Sequence, residues 1–238
     1  MTSGETERRV IVVTGASKGI GLHLAEHYLG HGHAVAGCSR GASSLKHDLY
    51  AHYQADVTDE RDVSALMKGV VHRFGRLDVL INNAGVASMN HIITMPTSTA
   101  ESIIRTNLVG SFLCTREAGK AMIARKWGRI VNFTTVARPL ALPGEAVYAA
   151  SKAGVEELTK VAAKELGSFN ITVNAIGAAP VMTDLIRHVP TEKIERLLDQ
   201  LAIRRMGEYR DISNVADFLI SEASDFVTGQ IIYLGGVC

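Results

Sequence analysis

Aromatic residues and net charge are both scarce in this sequence. Phe, Trp and Tyr make up 5% of the 238 residues, and 25 basic side chains against 24 acidic ones leave a formal net charge of +1. Proteins that bind nucleic acids or membrane surfaces usually carry a clear basic excess. The composition therefore disfavours both classes, and we expect the partners to be small molecules or other proteins.

Cysteine is also rare, and the three residues Cys38, Cys114 and Cys238 are widely spaced. An odd, scattered set argues against a disulfide framework and fits a reducing compartment. The segment from Met1 to Arg9 is polar and charged, and no apolar run approaches the length of a signal peptide or a membrane span. These features predict a soluble cytoplasmic protein with a polar N-terminal extension over residues 1–9.

The length and the hydrophobic content of 47% suit one α/β domain with a large buried core, here residues 1–238. Short runs rich in β-branched residues alternate with longer segments of helical period, which is typical of repeated βα units and a parallel sheet. We predict strands at Val10 to Val13, Ala34 to Cys38, Tyr53 to Ala55, Val79 to Asn82, Arg129 to Phe133, Ile171 to Ala175 and Ile231 to Leu234. The predicted helices are Ile20 to Leu29, Asp59 to Phe74, Ser98 to Arg125, Ala146 to Leu166 and Asp211 to Ser221.

Glycines mark the predicted ends of four helices, at Gly30, Gly75, Gly128 and Gly167. A long irregular stretch from about residue 177 to 207 interrupts the alternation and contains one short helical segment, Glu192 to Leu201. A long excursion beside the carboxyl edge of a sheet is a candidate substrate lid.

The first predicted strand runs into a glycine turn and then a helix, reading Thr14-Gly15-x-x-x-Gly19-x-Gly21. Glycines let the backbone approach a pyrophosphate closely, and a helix amino end supplies free N–H groups and a favourable dipole. An ordinary glycine-rich βα turn is the alternative. We assign the following turn residues to a dinucleotide site: Gly15, Ser17, Lys18, Gly19, Ile20 and Gly21.

The segment after the second predicted strand bears on the choice of cofactor. NAD-selective sites usually place an acid about 20 residues after the glycines, whereas a basic group accommodates the 2′-phosphate of NADP. The stretch from Val35 to Ala42 has no acid and contains Arg40, and Lys18 lies inside the glycine turn. This pattern favours NADPH, the alternative being that both cations are solvated surface charges.

Tyr148 and Lys152 lie one turn apart on a predicted helix, so both side chains can reach a shared ligand. A phenol with an ordinary pKa near 10 exchanges its proton poorly at neutral pH, and a neighbouring ammonium lowers that pKa. We therefore expect Lys152 to lower the pKa of Tyr148. The alternative interpretation of the spacing is a packed aromatic beside a solvated lysine.

Several motifs in a fixed order resemble the short-chain dehydrogenase/reductase family. They are the spacing of the glycine turn, Asn82-Asn83-Ala84-Gly85 after the fourth strand, and Tyr148-Ala-Ala-Ser-Lys-Ala-Gly154. The resemblance extends from Val10 to Gly236. It implies a Rossmann-type, doubly wound parallel sheet and an NADP-dependent enzyme that interconverts a carbonyl and an alcohol.

The resemblance also implies roles for individual residues. Tyr148 donates a proton to the carbonyl oxygen as hydride arrives from the nicotinamide, and Lys152 additionally holds the nicotinamide ribose. Asn107 matches the asparagine that orients a water for proton relay. Thr183 matches a contact to the nicotinamide amide, although a helix N-cap explains it equally well. The remaining implied cofactor contacts are Asp56, Val57, Asn83, Ala84 and Gly85.

Two positions depart from the family pattern. Thr135 stands where the family has a serine, and it keeps the hydroxyl while adding a methyl that restricts the rotamer. We expect an enzyme with a narrower substrate range or a lower rate, or one that has lost activity. In place of the usual Pro-Gly after the sixth strand the chain has Gly177-Ala-Ala-Pro180, and we expect Gly177 to supply flexibility and Pro180 rigidity there.

Within the family the sequence most resembles the 3-oxoacyl-acyl-carrier-protein reductases, judged by the motifs from Gly128 to Asn132 and from Val227 to Gly236. This implies a β-ketoacyl thioester substrate, and an acyl carrier protein as a possible partner. Lys126 and Arg129 are a partial basic patch for such a carrier. A free ketone, a cyclic polyketide intermediate or a coenzyme A thioester fits nearly as well, and Arg138 and Arg187 either meet an anionic group or are solvated.

The family resemblance implies a homotetramer assembled through the two long helices and the last strand. Two other functions stay open. One is a catalytically silent NADP(H)-binding regulator or partner subunit, suggested by Thr135 and the altered segment from Gly177 to Pro180. The other is an alcohol or steroid dehydrogenase working in the oxidative direction, which Arg40 disfavours. His23, His27 and His31 recur at four-residue steps, but no acid or cysteine joins them, so we expect an exposed polar stripe and no metal site.

Overall fold

The computed structural model describes residues 8–183, 186–187 and 189–237 of the chain. Seven strands form one sheet in the order β3-β2-β1-β4-β5-β6-β7, and every strand pair is parallel. The strands are β1 (Val10–Thr14), β2 (Ala34–Ser39), β3 (Tyr50–Gln54), β4 (Val79–Asn82), β5 (Gly128–Thr135), β6 (Ile171–Ala178) and β7 (Ile231–Tyr233). The predicted parallel α/β sheet is confirmed.

Helices cover both faces of this sheet, as expected for parallel strands joined by crossovers. They are α1 (Gly19–Gly30), α2 (Glu60–Phe74), α3 (Thr97–Ile104), α4 (Gly110–Ile123), α5 (Ala137–Leu140), α6 (Ala146–Leu166), α7 (Thr191–Leu198) and α8 (Tyr209–Ile220). None of these helices, which belong to the described part of the chain, has both the length and the apolar character needed to cross a membrane.

Alternation along the buried strands divides the core into two layers. On β1, Val10 and Val12 pack with buried residues of α2 and α4, while Ile11 and Val13 pack with buried residues of α1 and α8. Successive side chains of a strand point to opposite faces, so a strand buried on both sides reads as a continuous apolar run. This two-sided core makes the fold a doubly wound, single-domain α/β structure.

The strand order reverses between β1 and β4, and this reversal places the site. In open α/β sheets, ligands bind beyond the carboxyl ends of the strands at such a switch point. Thr14 ends β1, Asn82 ends β4 and Thr135 ends β5. The glycine turn, the Asn83-Ala84-Gly85 segment and the predicted catalytic residues therefore lie at one edge of the sheet.

Many element boundaries differ from the predictions by one to three residues. The third strand begins at Tyr50 instead of Tyr53, and its half-exposed residues give it no clean apolar run. The predicted helix from Ser98 to Arg125 is divided into α3 and α4 by a π-helical turn at Arg105–Val109. The long excursion holds a shorter helix than predicted, α7, and residues 184, 185 and 188 of that excursion lie outside the described residues.

The predicted glycine helix ends are confirmed only in part. Gly75 adopts φ +76° directly after α2, a conformation that favours glycine, and Gly30 is the last residue of α1. Gly128 instead begins β5, and the left-handed residue before it is Lys126 with φ +52°. Gly167 is right-handed, and Asn170 with φ +58° makes the turn into β6.

Candidate active site

The glycine turn after β1 is closely packed against the segment that follows β4. Gly15 has φ +69°, and its N–H donates to the Cys38 carbonyl oxygen at 2.8 Å. A Cβ on Gly21 would overlap the Gly15 carbonyl oxygen and the Asn83 amide. The turn therefore needs glycine at both positions, and it brings the amino end of α1 to the carboxyl edge of the sheet. Ser17 and the exposed Lys18 precede α1, while Gly19 and Ile20 begin it.

Thr14, whose role the sequence analysis missed, joins the two cofactor segments. Its side chain is buried, and Oγ1 accepts the backbone N–H groups of Asn83 at 3.1 Å and Ala84 at 3.0 Å. The Asn83 amide donates in return to the Thr14 carbonyl oxygen at 2.9 Å. The threonine in the Thr14-Gly15 pair was the available signal, since a buried hydroxyl needs hydrogen-bond partners.

The adenosine side of the predicted site lies beyond β2 and β3. Arg40 is exposed directly after β2, and its carbonyl oxygen accepts from Gln54 Nε2 at 2.8 Å. Asp56 is half-buried after β3, with Oδ1 accepting the Thr58 N–H at 2.8 Å, and Val57 is buried beside it. Arg40 therefore lies at the edge of the sheet where dinucleotide-binding folds recognise the 2′-substituent of the ribose.

Asn107 lies in the π-helical turn and is completely buried. Its Oδ1 accepts the Val86 N–H at 2.8 Å, and its Nδ2 donates to the Val86 carbonyl oxygen at 2.9 Å and to Ser151 Oγ at 3.0 Å. Such π turns widen a helix locally and are frequent at functional sites. Asn107 thus fixes the loop after β4 against the catalytic helix, and Ser151 is a second contributor that the sequence analysis did not assign to the site.

Tyr148 and Lys152 lie on one face of α6, as predicted. Lys152 Nζ is 6.0 Å from the centroid of the Tyr148 ring and donates to the Phe133 carbonyl oxygen at 2.7 Å. A Cβ placed on Gly85 would lie 3.5 Å from Lys152 Nζ and 3.2 Å from Asn107 Oδ1. The lysine, the asparagine and the Asn83-Ala84-Gly85 segment therefore meet at one point.

The pKa values of the pair differ from the expectation that Lys152 lowers the pKa of Tyr148. Burial raises the pKa of Tyr148 to about 12, a hydrogen bond from Thr135 opposes the rise, and the Glu145 charge adds to it. Burial alone lowers the pKa of Lys152 to about 8. Desolvation of the charged form is the largest cause of each of the two shifts. Tyr148 is consequently protonated at neutral pH.

Thr135 ends β5 beside the Tyr148 hydroxyl. Its Oγ1 accepts the Ala137 N–H at 3.2 Å, and its hydroxyl hydrogen-bonds Tyr148, which lowers the pKa of the phenol. Because a threonine hydroxyl has one donor and two acceptor positions, it can serve both neighbours. The departure from serine therefore leaves a hydroxyl at the position where a substrate oxygen would meet Tyr148.

The segment after β6 fits its expected role only in part. Thr183 lies over the glycine turn, with its methyl 3.5 Å from the position of a Cβ on Gly19. Asp184, the next residue, lies outside the described residues, so the alternative of Thr183 as a helix N-cap stays open. Gly177 is a buried β6 residue whose Cβ would overlap the Tyr233 ring. The prediction that Gly177 gives flexibility on the nicotinamide side was wrong. Glycine occurs at this position because the Tyr233 ring of β7 leaves no room for a side chain.

The predicted basic patch is also different in the structure. Arg129 is 1% exposed, lies 4.5 Å from the Trp127 ring centroid and bonds backbone carbonyls, so it is not available to a partner. Lys126 remains exposed. Arg138 pairs with Glu156 at 3.2 Å and is neither a free anion site nor fully solvated.

The histidine stripe of α1 packs along α8. His27 Nε2 is 2.9 Å from Asp217 Oδ2, and the His23 ring stacks on Tyr209 with centroids 4.9 Å apart. Within the described ranges, no three His, Cys, Asp or Glu side chains come together in a group able to hold a metal ion.

Arg9, directly before β1, is buried and hydrogen-bonds the Ile220 carbonyl oxygen and the Glu222 carboxylate. These bonds anchor the start of β1 to the end of α8.

The sheet order, the glycine turn and the Tyr148–Lys152 face define an oxidoreductase with a nicotinamide cofactor. The chain belongs to the short-chain dehydrogenase/reductase family: a family profile described as Enoyl-(Acyl carrier protein) reductase matches residues 15–236. The enzyme acts on CH–OH or C=O groups. The family predicted from the sequence is confirmed.

Individual relatives cover nearly the whole chain. The chain is 38% identical over 235 residues to the 3-oxoacyl-[acyl-carrier-protein] reductase of Staphylococcus aureus strain Mu50, covering 94% of this chain and 96% of that protein. The aldohexose dehydrogenase of Thermoplasma acidophilum superposes with a TM-score of 0.88 at 29% identity, covering 97% and 94% of the two chains. A structure of ElxO with NADP bound superposes with a TM-score of 0.88 at 28% identity, covering 95% and 97%.

Proposed function

We propose that this protein reduces a β-ketoacyl thioester, carried on an acyl carrier protein, to the β-hydroxyacyl thioester with NADPH. The observation that carries the proposal is that Thr135 hydrogen-bonds Tyr148 while Lys152, on the same face of α6, lies against Gly85 of the segment that follows β4. The relatives named as 3-oxoacyl-[acyl-carrier-protein] reductases support the choice of substrate.

The glycine turn fits a dinucleotide by its position, because it places the amino end of α1 at the switch point of the sheet, where the pyrophosphate binds in such folds. Gly15, Ser17, Lys18, Gly19, Ile20 and Gly21 would hold the pyrophosphate. Asp56 and Val57 would contact the adenine, and the Asn83-Ala84-Gly85 segment with Lys152 and Thr183 would hold the nicotinamide side. When bound, the dinucleotide supplies a hydride.

The protein's own residues then handle the proton. Tyr148 donates its proton to the substrate carbonyl oxygen, and the Thr135 hydroxyl binds the same oxygen and orients it. The Lys152 ammonium stabilises the phenolate left on Tyr148, because opposite charges attract strongly in a site of low dielectric constant. The phenolate regains its proton from the Lys152 ammonium, and a water at the π turn that Asn107 holds would then return a proton to the neutral Lys152 amine.

NADPH over NADH is part of the proposal and rests on Arg40. The guanidinium is exposed at the end of β2, on the edge of the sheet where the ribose 2′-position is read, and the structure of ElxO with NADP bound superposes closely on this chain. We also propose that the part of the predicted excursion that follows β6, residues 179–207, acts as a substrate lid. In support, Lys193 of α7 acts electrostatically on Glu145, which lies one turn before Tyr148.

A homotetramer and a cytoplasmic location complete the proposal. Exposed apolar side chains on the long helices, Phe112 on α4 and Val161 on α6, support burial of these helices against another copy. The free, buried thiols of Cys38 and Cys114 are compatible with a reducing compartment.

The test is the rate of NADPH oxidation with acetoacetyl-coenzyme A, a β-ketoacyl carrier protein, simple ketones and a crotonyl thioester, with NADH in parallel. Because the matching family profile is described as an enoyl reductase, the crotonyl thioester measures that reaction directly. Selective turnover of the β-keto thioesters with NADPH would support the proposal. Turnover of the crotonyl thioester alone would replace it with enoyl reduction, and tight NADPH binding without turnover would favour the silent regulator.

A further inference from the structure

Glu145 is a buried residue next to the predicted catalytic pair, and its Oε2 atom has no hydrogen-bond partner in the part of the chain that the structure describes. The residue is 9% exposed. It occupies the N-cap position of α6 but makes no side-chain cap to that helix. A buried, unsatisfied carboxyl group is costly to a folded protein, and such groups are rare outside functional sites.

The position of Glu145 aligns it with the catalytic residues. Glu145, Tyr148 and Lys152 follow one another at three- and four-residue steps, which places them on one face of α6. The Glu145 charge raises the pKa of Tyr148, so the carboxyl group acts directly on the phenol.

Two further segments enclose Glu145 from outside. The Asn90 N–H donates to the Gly144 carbonyl oxygen at 3.0 Å, which brings the loop after β4 against the residue preceding Glu145. Lys193 of α7 is the cation that acts on the carboxyl group from the lid. Burial nevertheless dominates and raises the pKa of Glu145 to about 7, so the protonated form is present at neutral pH.

We propose that Glu145 binds the substrate: the O–H of its protonated carboxyl group donates a hydrogen bond to the thioester carbonyl oxygen while Tyr148 and Thr135 bind the ketone oxygen. This assignment rests on the proposed function. The two oxygens of a β-ketoacyl thioester are separated by one methylene group, and two donors at successive turns of one helix face suit such a pair. Glu145 thereby selects a 1,3-dicarbonyl substrate over a simple ketone.

The decisive experiment compares the pH dependence of kcat/KM for acetoacetyl-coenzyme A in wild-type enzyme and in Glu145→Gln. Protonated Glu145 is the active form, so its contribution is present below pH 7 and is lost as pH rises. Wild-type kcat/KM should fall about tenfold between pH 6 and pH 8 from this group, following the protonated fraction. A glutamine amide keeps a hydrogen-bond donor and does not titrate. At pH 6 the kcat/KM of the variant should therefore match that of wild type within about threefold, and it should not show the fall in kcat/KM near pH 7.

Glu157→Gln is the matched control, because Glu157 is an exposed carboxyl group on the same helix. It should keep the complete wild-type profile. Glu145→Leu removes the donor and should raise KM for acetoacetyl-coenzyme A about tenfold or more with a smaller effect on kcat. NADPH affinity should be unchanged in all three variants, which reports that the folded site is intact.

An unchanged step near pH 7 in Glu145→Gln, with wild-type enzyme active on the thioester, would overturn the role of Glu145 and leave the proposed function standing. Wild-type enzyme that turns over no β-keto thioester would overturn both. A Glu145→Leu variant that reduces the thioester with the wild-type KM would also contradict the assignment.

Discussion

The Lys152 ammonium donates a hydrogen bond to the Phe133 carbonyl oxygen at 2.7 Å. The lysine of α6 is thus held by the end of β5, within a site that excludes most water around the charge. One neutral carbonyl does not offset the desolvation of an ammonium, which explains why the pKa of Lys152 falls to about 8. Burial of the charged Lys152 side chain therefore lowers the free energy of unfolding.

The stability of the fold should therefore depend on pH through Lys152. The pKa of this lysine is about 8 in the folded protein against 10.5 for the free side chain, so the unfolded chain binds more protons between these values. Burial of the ammonium destabilises the fold fully below pH 8, and the penalty disappears as pH rises toward 10.5. Relative to Lys152→Met, wild type should gain about 2 kcal/mol of unfolding free energy between pH 7 and about pH 9.5.

Urea unfolding of both proteins at the two pH values measures this difference. Lys160→Met, an exposed lysine on the same helix, should track wild type at both. A difference between wild type and Lys152→Met that stays constant with pH would show that the ammonium is not desolvated.

Tyr148→Phe should abolish reduction and leave NADPH binding nearly intact. The substitution removes the proton donor and keeps the ring, and loss of a general acid typically costs about 10²–10⁴ in rate. Steady-state turnover and a fluorescence titration with NADPH measure the two properties separately. Turnover within a few-fold of wild type would contradict the mechanism.

Thr135 offers a test of hydroxyl against methyl. Thr135→Ser keeps the hydrogen bond to Tyr148 and relieves the rotamer, so kcat should stay the same or rise. Thr135→Val keeps the shape and removes the hydroxyl, and it should lower kcat by about 10²-fold because a donor to the reacting oxygen is lost. A large loss in the serine variant would instead mean that the threonine methyl positions the substrate.

Features carried by one short stretch of chain were predictable from the sequence. Tyr148 and Lys152 share a helix face because of their spacing. The glycine turn was predictable because glycine adopts a positive φ, such as that of Gly15, far more readily than other residues. The alternation of apolar runs and helical periods likewise indicated the parallel sheet, since its strands are buried on both faces.

Features that depend on contacts distant in sequence were not predictable. The burial of Arg129 against Trp127 and the burial of Glu145 arise only when separate elements pack together. The π turn around Asn107 has no periodic signal, because it inserts one residue into an otherwise regular helix. The pKa of Tyr148 was mispredicted for the same reason, since desolvation depends on the enclosing structure.

Arg40 should determine the preference for NADPH. Removing a charge-assisted pair with the 2′-phosphate in Arg40→Ala should raise the Kd for NADPH about 10- to 100-fold and leave the Kd for NADH unchanged. Isothermal titration with each cofactor measures both constants. Lys46→Ala, which removes an exposed cation of the same loop, is the control and should alter neither. Equal weakening of both cofactors in Arg40→Ala would remove this residue from the selection of NADPH.

Thr14 should matter to stability and cofactor affinity together. Thr14→Val keeps the volume of the side chain but removes the acceptor of the Ala84 N–H and leaves the Asn83 N–H with the Ile81 carbonyl oxygen alone. Because one orphaned donor costs about 1–3 kcal/mol, the unfolding free energy should drop by about 1–3 kcal/mol. The Kd for NADPH should rise as well, since the same bonds hold the glycine turn against the segment after β4. Thr14→Ser restores the acceptor and should recover most of both losses, and a serine variant as impaired as the valine variant would show that packing of the methyl group, rather than the hydrogen bonds, joins the two segments.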